Sequence, residues 1–350
     1  MLNSKRAADM STGDAKPGGG TDAAPGTDKA PPPAPPPRAK RDIKWPMVLF
    51  HIHLHVGAVY GLFVVFRDAY VCTSLFAAVL AMVSLLGVTA GAHRLWAHRS
   101  YQASTPLRIF LALCHTAVGQ GSIYDWVLDH RIHHKHFGTE NDPYNHKRGM
   151  YYAHVVSRVE TAHPHREEME KAVDMSDLDA DGVVMFQKRF YWLLMPVLCF
   201  LLPINAPVEY WGETIISSFF VVGCLRYCVT LHLAWLINTS VCIWGIDPEN
   251  KASADSNLVF VLTKSYWPFY HYLLPWDYNC GEYGSYEDGF TTAMIRVWAV
   301  LGWAYGLRTI DSNSVKSAVH TSVKTGRDIK ECLEEEGHKM ADILHLKKLQ

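Results

Sequence analysis

The chain has 350 residues, enough for one large domain or two modest ones, and its net charge of −1 argues against nucleic acid as a partner. Its eight cysteines include no CxxC pair, which argues against a disulfide scaffold or a zinc ribbon. Histidine stands out instead, with 19 copies gathered in short runs that are typical of metal binding.

The N-terminal segment, residues 1–42, is rich in Gly, Pro, Ala, Asp and Lys and includes a proline-rich run at 31–37. Such a composition cannot build an apolar core, so we predict a disordered tail. The segment lacks the long apolar stretch of a signal peptide.

Four apolar stretches follow, and each predicts a transmembrane helix because a bilayer core needs about 20 apolar residues per helix. The predicted spans are about 45–66, 69–90, 190–208 and 215–237. The third is interrupted by Pro196, which leaves a tilted or re-entrant helix as an alternative. Residues 105–121 predict a partly buried or interfacial helix, since Arg108, His115 and Gly119 interrupt its apolar pattern.

The distribution of basic residues predicts the orientation. Lys and Arg number twelve in residues 91–190 and eleven in residues 245–350, whereas the connections within each pair of spans carry almost none. Positive segments stay cytosolic, so both termini and both long polar blocks are predicted to face the cytosol. The expected fold is an all-α integral membrane protein in which the two polar blocks form a helical cytosolic cap.

Two histidine clusters lie in the first polar block. They comprise His93 and His98, then His130, His133 and His134. The i, i+3, i+4 spacing of the second cluster places three imidazoles on one helix face, and neutral imidazole suits iron, zinc and copper. Asp129 and Asp142 are close enough in sequence to orient imidazole N–H groups. His51, His53 and His55 lie in the first span, far along the chain from both clusters, so we assign them no ligand role.

The segments 91–100 and 125–134 resemble the first two histidine boxes of the animal acyl-CoA desaturases of the stearoyl-CoA Δ9 type. Further matches are Asp142-Pro143, Asn145, Arg148-Gly149, 184–192, 231–238, 275–278 and 302–305. The resemblance runs in unbroken order over residues 43–312, which we predict to be one desaturase domain. Residues 313–350 then form a charged C-terminal tail.

The resemblance implies a di-iron centre in the cytosolic cap of an endoplasmic reticulum membrane protein. It implies an O2-dependent reaction that places a cis double bond, of Δ9 type, in a saturated acyl-CoA, with electrons from cytochrome b5. Iron is indispensable there, because side chains alone cannot carry out one-electron O2 chemistry. The implied metal ligands are His93, His98, His130, His133, His134 and His271, with Asn238 acting through water. Aromatics near the acyl path correspond to Trp126, Trp235 and Tyr278.

The third histidine box departs from the family pattern. Pro268 and Tyr272 stand where the family has histidine, and Cys242 replaces another histidine four residues after Asn238. Six of the family's nine ligand histidines therefore remain, and only His271 of the third box is among them. Cys242 as thiolate or Tyr272 as phenolate could still ligate, whereas proline offers no donor. Loss of an outer partner alone costs about 10–100-fold in affinity or activity, so loss of three ligands is expected to cost more.

The positions that grip CoA in the family change as well. Gly121, Leu128, Thr161 and Ala162 stand where it has an asparagine, an arginine and an Arg-Lys pair. Since Arg and Lys are the usual grips for phosphate, we expect weaker CoA binding.

Three interpretations follow. We favour a desaturase-family pseudoenzyme, with one or no iron, whose catalysis is weak or lost. A fully active acyl-CoA desaturase with a modified di-iron site is one alternative. A non-catalytic lipid-binding or regulatory partner of another desaturase chain is the other. The well-kept first two boxes argue against a purely structural protein.

Overall fold

Helices dominate the structure, a computed structural model that describes residues 41–243, 270–280 and 289–347. The main helices are α1 (Trp45–Arg67), α2 (Val71–Ala97), α3 (Thr105–Val118), α4 (Ile123–Lys135), α5 (Gly182–Trp211), α6 (Ile215–Ser240), α7 (Tyr270–Leu273), α8 (Phe290–Val300), α9 (Ser312–Thr325) and α10 (Ile329–Lys347). Short helical segments occupy His146–Arg148, Tyr152–Val156, Ser157–Val159, Arg166–Lys171 and Ser176–Asp179. Strand β1 (Gln102–Ala103) pairs antiparallel with β2 (Ala304–Tyr305).

Four of these helices, α1, α2, α5 and α6, are long and apolar enough to cross a membrane. The outer face of α1 exposes large apolar side chains such as Ile52, Val56 and Val59, which are 53–71% accessible. Such a surface suits lipid rather than water. Helix α6 is the central one, with 61% of its apolar window buried against 22–33% in the others. The predicted all-α integral membrane fold is confirmed, and the chain is a multi-pass membrane protein.

Helix α5 is longer than the predicted span of 190–208. The Asp181 carboxylate caps its N-terminus by accepting the N–H groups of Val183 and Val184. Pro196 does not end the helix, because a π-helical stretch, Pro196–Leu201, accommodates the missing N–H. The resulting 30 residues suffice for a complete crossing, so the re-entrant alternative is not needed.

Helices α1 and α6 pack closely through two glycines of α1. A Cβ added to Gly61 would lie 2.3 Å from the carbonyl oxygen of Phe220, and one added to Gly57 would lie 3.0 Å from the sulfur of Cys224. Small residues allow such close approach between membrane helices. This contact fixes which side chains of α1 and α6 face each other.

The residues predicted as a charged C-terminal tail, 313–350, lie largely in helices α9 and α10. Helices α9 and α10 pack together and share an apolar cluster with Leu274 and Cys280, which follow α7. A Cβ added to Gly337 of α10 would lie 2.6 Å from the Trp276 ring. The C-terminal hairpin therefore packs on the segment that carries His271. The first 40 residues of the predicted N-terminal tail lie outside the described residues.

Candidate metal centre

Three helical segments bring the predicted histidines together. The end of α2 is π-helical, and the His98 N–H donates to the His93 carbonyl five residues earlier, at 3.0 Å. This wide turn places both imidazoles on one side, with ring centroids 4.7 Å apart. The N-cap residue of helix α4 is Ser122, whose hydroxyl accepts a hydrogen bond from the Asp125 N–H. The second histidine cluster lies at the C-terminal end of this helix. Helix α7 adds His271.

Arg131, in the second histidine box, bonds both the segment of the first box and Asp177 of the polar block. Its guanidinium makes two hydrogen bonds of 2.8 Å to the Asp177 carboxylate and donates a third, of 2.7 Å, to the Trp96 carbonyl. Such a bidentate pair fixes both orientation and distance. Burial by itself raises the pKa of Asp177, but hydrogen bonds from Arg131 and Arg99 lower this pKa to about 2.

Five of the six predicted ligand histidines converge. The ligand nitrogens of His93, His98, His130 and His271 all lie within 4.8 Å of one another. The fifth, His134, approaches His271 with 3.1 Å between their Nε2 atoms. We call these five side chains the imidazole cluster.

The spacing within the imidazole cluster suits a shared ion. Two Nε2 pairs, His93 with His271 and His98 with His130, are 3.2 and 2.8 Å apart. Imidazole nitrogens each about 2.1 Å from one ion, at right angles, would be about 3.0 Å apart. The all-imidazole donor set therefore fits iron, zinc or copper in both chemistry and distance.

The histidines of this cluster are held as neutral ligands. Burial first, and then the neighbouring imidazoles, lower the pKa of His98, His130 and His134 well below the usual value. His130 donates its Nδ1–H to the Asn238 side-chain oxygen at 2.7 Å, which leaves Nε2 facing the cluster. Asn238 thus orients His130, and its ligation of a metal through water stays a prediction.

Both ring nitrogens of His133 contact side chains outside the imidazole cluster, although its ring lies beside that of His134, with centroids 5.8 Å apart. Its ring centroid is 6.0 Å from that of His130, its Nδ1 lies 2.7 Å from the Asp142 carboxylate, and its Nε2 lies 3.0 Å from the Tyr272 hydroxyl. Asp142 also accepts the N–H groups of Tyr144 and Gly138. Tyr272 and Cys242, which stand where the family has histidine, lie on the same side of the site as His133. Tyr272 contacts His133, and burial followed by the charge of Asp142 raises the pKa of the Cys242 thiol to about 11. The third position, Pro268, lies outside the described residues.

Asp129, expected to orient an imidazole, instead contacts Arg166 of the cap at 2.5 Å. The predicted tunnel residues lie in different surroundings. Trp126 stacks on His130 with centroids 4.9 Å apart, and Trp235 lies edge-on to His232 at 5.1 Å. Tyr278 packs against the main core. Their role as walls of one acyl tunnel stays a prediction.

The predicted CoA positions have structural roles. Gly121 has a φ of +91°, a conformation that favours glycine, and donates its N–H to the Tyr191 hydroxyl at 2.8 Å. Leu128 packs against the main core. Thr161 is bonded through its backbone and hydroxyl to Asp42. Together with Ala162 it lines a cavity of about 420 Å³.

Within that cavity, acidic partners surround the basic groups. Arg41 pairs with Glu160, and Arg166 pairs with Asp129 and Glu170. Guanidinium groups that are already paired are weaker grips for a phosphate than free ones.

A second group of metal-ligating side chains was missed from the sequence. His55, which we had assigned no ligand role, lies beside Cys228 and His232 of α6, and their ligand atoms are all within 4.8 Å of one another. The available signal was the i, i+4 spacing of Cys228 and His232 on an apolar helix. It could not indicate His55, which is 177 residues from His232.

Known proteins of similar sequence are animal desaturases. An acyl-CoA Delta-9 desaturase of Acheta domesticus is 44% identical over 283 residues, covering 80% of this chain and 79% of that protein. An acyl-CoA Delta12-desaturase of the same species is 40% identical over 291 residues, covering 82% of each. A stearoyl-CoA desaturase of Homo sapiens is 38% identical over 286 residues, covering 81% and 79%. No protein-family model matches the chain.

Proposed function

Because this chain belongs to the acyl-CoA desaturase family of animals, we propose that it binds a single iron ion in the imidazole cluster and that its desaturase activity is weak or lost. The ancestral reaction is the introduction of a cis double bond into a saturated acyl-CoA. We assign it the Δ9 position because a Delta-9 desaturase is 44% identical, although a Delta12-desaturase is 40% identical.

One observation carries the proposal: the kept ligands are grouped rather than scattered. His93, His98, His130, His134 and His271 share one cluster. His133 lies on the side where Tyr272 and Cys242 replace histidine. The two substituted positions that the structure describes, Tyr272 and Cys242, therefore lie beside His133 and its partner Asp142.

The half that contains His133 is satisfied without an ion. The Asp142 carboxylate lies on one ring nitrogen and the Tyr272 hydroxyl on the other, at 2.7 and 3.0 Å. Tyr272 also stacks on Phe137 with centroids 3.7 Å apart, which fixes its ring. Because a carboxylate on Nδ1 is also the usual partner of a metal-bound imidazole, the Tyr272 hydroxyl on Nε2 is the contact that competes with a metal at His133.

The chemistry follows from these groups. Iron, when bound, would supply the one-electron reactivity with O2 that side chains lack. The protein's own part is to hold neutral imidazoles with their Nε2 atoms inward, as Asn238 does for His130. Loss of the second position would take His133 out of use together with the three replaced histidines, four of the nine on which the family's reaction depends, so little oxidation is expected.

Three further proposals accompany this one. We propose that acyl-CoA binds weakly, because Arg41 and Arg166 are already paired with acidic side chains. We propose an endoplasmic reticulum location with both termini cytosolic, on the distribution of Lys and Arg. Any residual activity would draw electrons from cytochrome b5, and association with another desaturase chain is the role left for an inactive chain.

Metal content tests the single-ion proposal. Protein purified in detergent should contain one iron per chain, and the His271→Ala variant should contain almost none. His53→Ala is the matched control, because this exposed histidine of α1 bonds only the Leu49 carbonyl and should keep the iron. Two irons per chain in the parent protein would overturn the proposal.

Reconstruction of the second half tests the cause. The triple variant Cys242→His, Pro268→His and Tyr272→His should bind a second iron. Activity is tested separately, in yeast without its own desaturase. The parent chain should not support growth in the absence of unsaturated fatty acid, and clear growth would refute weak or lost catalysis.

A further inference from the structure

A second metal-ligating group lies inside the membrane-spanning helices. His55 is on α1, and Cys228 and His232 are one turn apart on α6. The Nε2 atoms of His55 and His232 are 2.8 Å apart, and the Cys228 sulfur completes a set within 4.8 Å. Cys228 is 7% accessible. None of these residues belongs to the imidazole cluster or to the positions matched to it.

The hydrogen bonds around this group turn two nitrogen lone pairs inward. His55 places Nδ1 2.6 Å from the His51 carbonyl, which can only accept, so Nδ1 carries the hydrogen and Nε2 is a free ligand. His232 places Nδ1 2.9 Å from Nε2 of His154. The Nδ1 atom of His154 lies 2.9 Å from the Thr239 hydroxyl.

That chain of contacts has a direction. The Thr239 hydroxyl donates to the Trp235 carbonyl at 3.1 Å, which leaves its oxygen to accept from Nδ1–H of His154. His154 then accepts at Nε2 from Nδ1–H of His232, so the His232 Nε2 also faces inward without a hydrogen. With no proton or metal ion shared between them, these two inward lone pairs, 2.8 Å apart, repel each other, so the pair favours a bound cation.

Donor type and location select the cation. Two imidazoles and a thiolate would form a soft donor set of the kind that binds copper(I). A thiolate carries one negative charge, so a monovalent ion gives a neutral complex, whereas a divalent ion leaves a net charge among apolar helices, which is costly. We propose that His55, Cys228 and His232 form a copper(I) site within the membrane.

Copper(I) binding at this site needs no change of oxidation state. Cu(I) forms a bond to the Cys228 sulfur as the S–H bond breaks, and the proton leaves to water. Copper stays in the +1 state, and the two Nε2 lone pairs complete the coordination. Gly57 and Gly61 allow α1 and α6 to pack closely enough for His55 to reach His232, since a Cβ at either glycine would lie 3.0 Å or less from an atom of α6.

Anaerobic titration of the full chain in detergent with Cu(I), against a chromophoric Cu(I) chelator, tests the site. The parent, with its imidazole cluster already loaded with iron, should bind one copper that Cys228→Ala binds at least about 10–100-fold more weakly. Cys224→Ala is the matched control, one turn away on the same helix and outside the ligand set, and it should bind like the parent.

A second readout separates this site from the imidazole cluster. Copper X-ray absorption of the loaded His271→Ala variant should show one sulfur and two imidazole ligands, and the sulfur should vanish in Cys228→Ala. Unfolding temperatures of the variants verify that they are folded. Unchanged affinity in Cys228→Ala, or copper with nitrogen ligands only, would overturn the proposal, whatever the iron content.

Discussion

The Asp142→Asn substitution should lower stability without removing the metal. Asp142 accepts three hydrogen bonds, of 2.7 Å from His133, 2.9 Å from the Tyr144 N–H and 3.1 Å from the Gly138 N–H. Asparagine keeps one oxygen but turns an NH2 group towards Gly138, which leaves the half-buried N–H of Gly138 unpaired at about 1–3 kcal/mol. The two remaining bonds lose their charge, so the total cost is about 2–5 kcal/mol.

This cost is measurable in detergent with a dye that fluoresces on reaction with thiols, because Cys114, Cys199, Cys280 and Cys332 are buried and react only after unfolding. At about 2 °C per kcal/mol the variant should unfold roughly 4–10 °C below the parent. Its iron content should stay at one per chain, since Asp142 holds only His133. Iron below half of the parent value in folded Asp142→Asn would refute the separation of His133 from the imidazole cluster.

Two further predictions concern the frame around the centre. Gly61→Ala should cost about 1–3 kcal/mol and lower the unfolding temperature, because its Cβ would lie 2.3 Å from the Phe220 carbonyl oxygen; Gly182→Ala, with nothing within 4 Å, is the control and should unfold like the parent. The depressed pKa of Asp177, about 2, predicts stability that is present above about pH 4 and lost as pH falls towards 2, because protonation breaks the pair with Arg131. The unfolding temperature of Asp177→Asn should fall less steeply over that range than that of the parent, and an equal pH slope in variant and parent would contradict the assignment.

Local sequence was enough for the features that depend on neighbours along the chain. The apolar stretches predicted four membrane helices, because their length against the bilayer needs no tertiary information. The i, i+3, i+4 spacing placed His130, His133 and His134 on one helix, and α4 carries all three. The start of α5 at Gly182 was missed, because its first turns are amphipathic and Pro196 suggested a break that a π-helical stretch absorbs.

The sequence by itself determined the family, the membrane helices and the loss of three ligand histidines, since these are matters of residue identity and order. Only the tertiary structure shows which imidazoles lie close enough together to share an ion. His133 and His134 are adjacent in the chain, yet one turns towards Tyr272 and the other towards His271. It also brought His55 to His232 across 177 residues. The physical reason is that ligation depends on distances of a few ångströms between side chains of different helices, and these are set by packing such as that at Gly57 and Gly61.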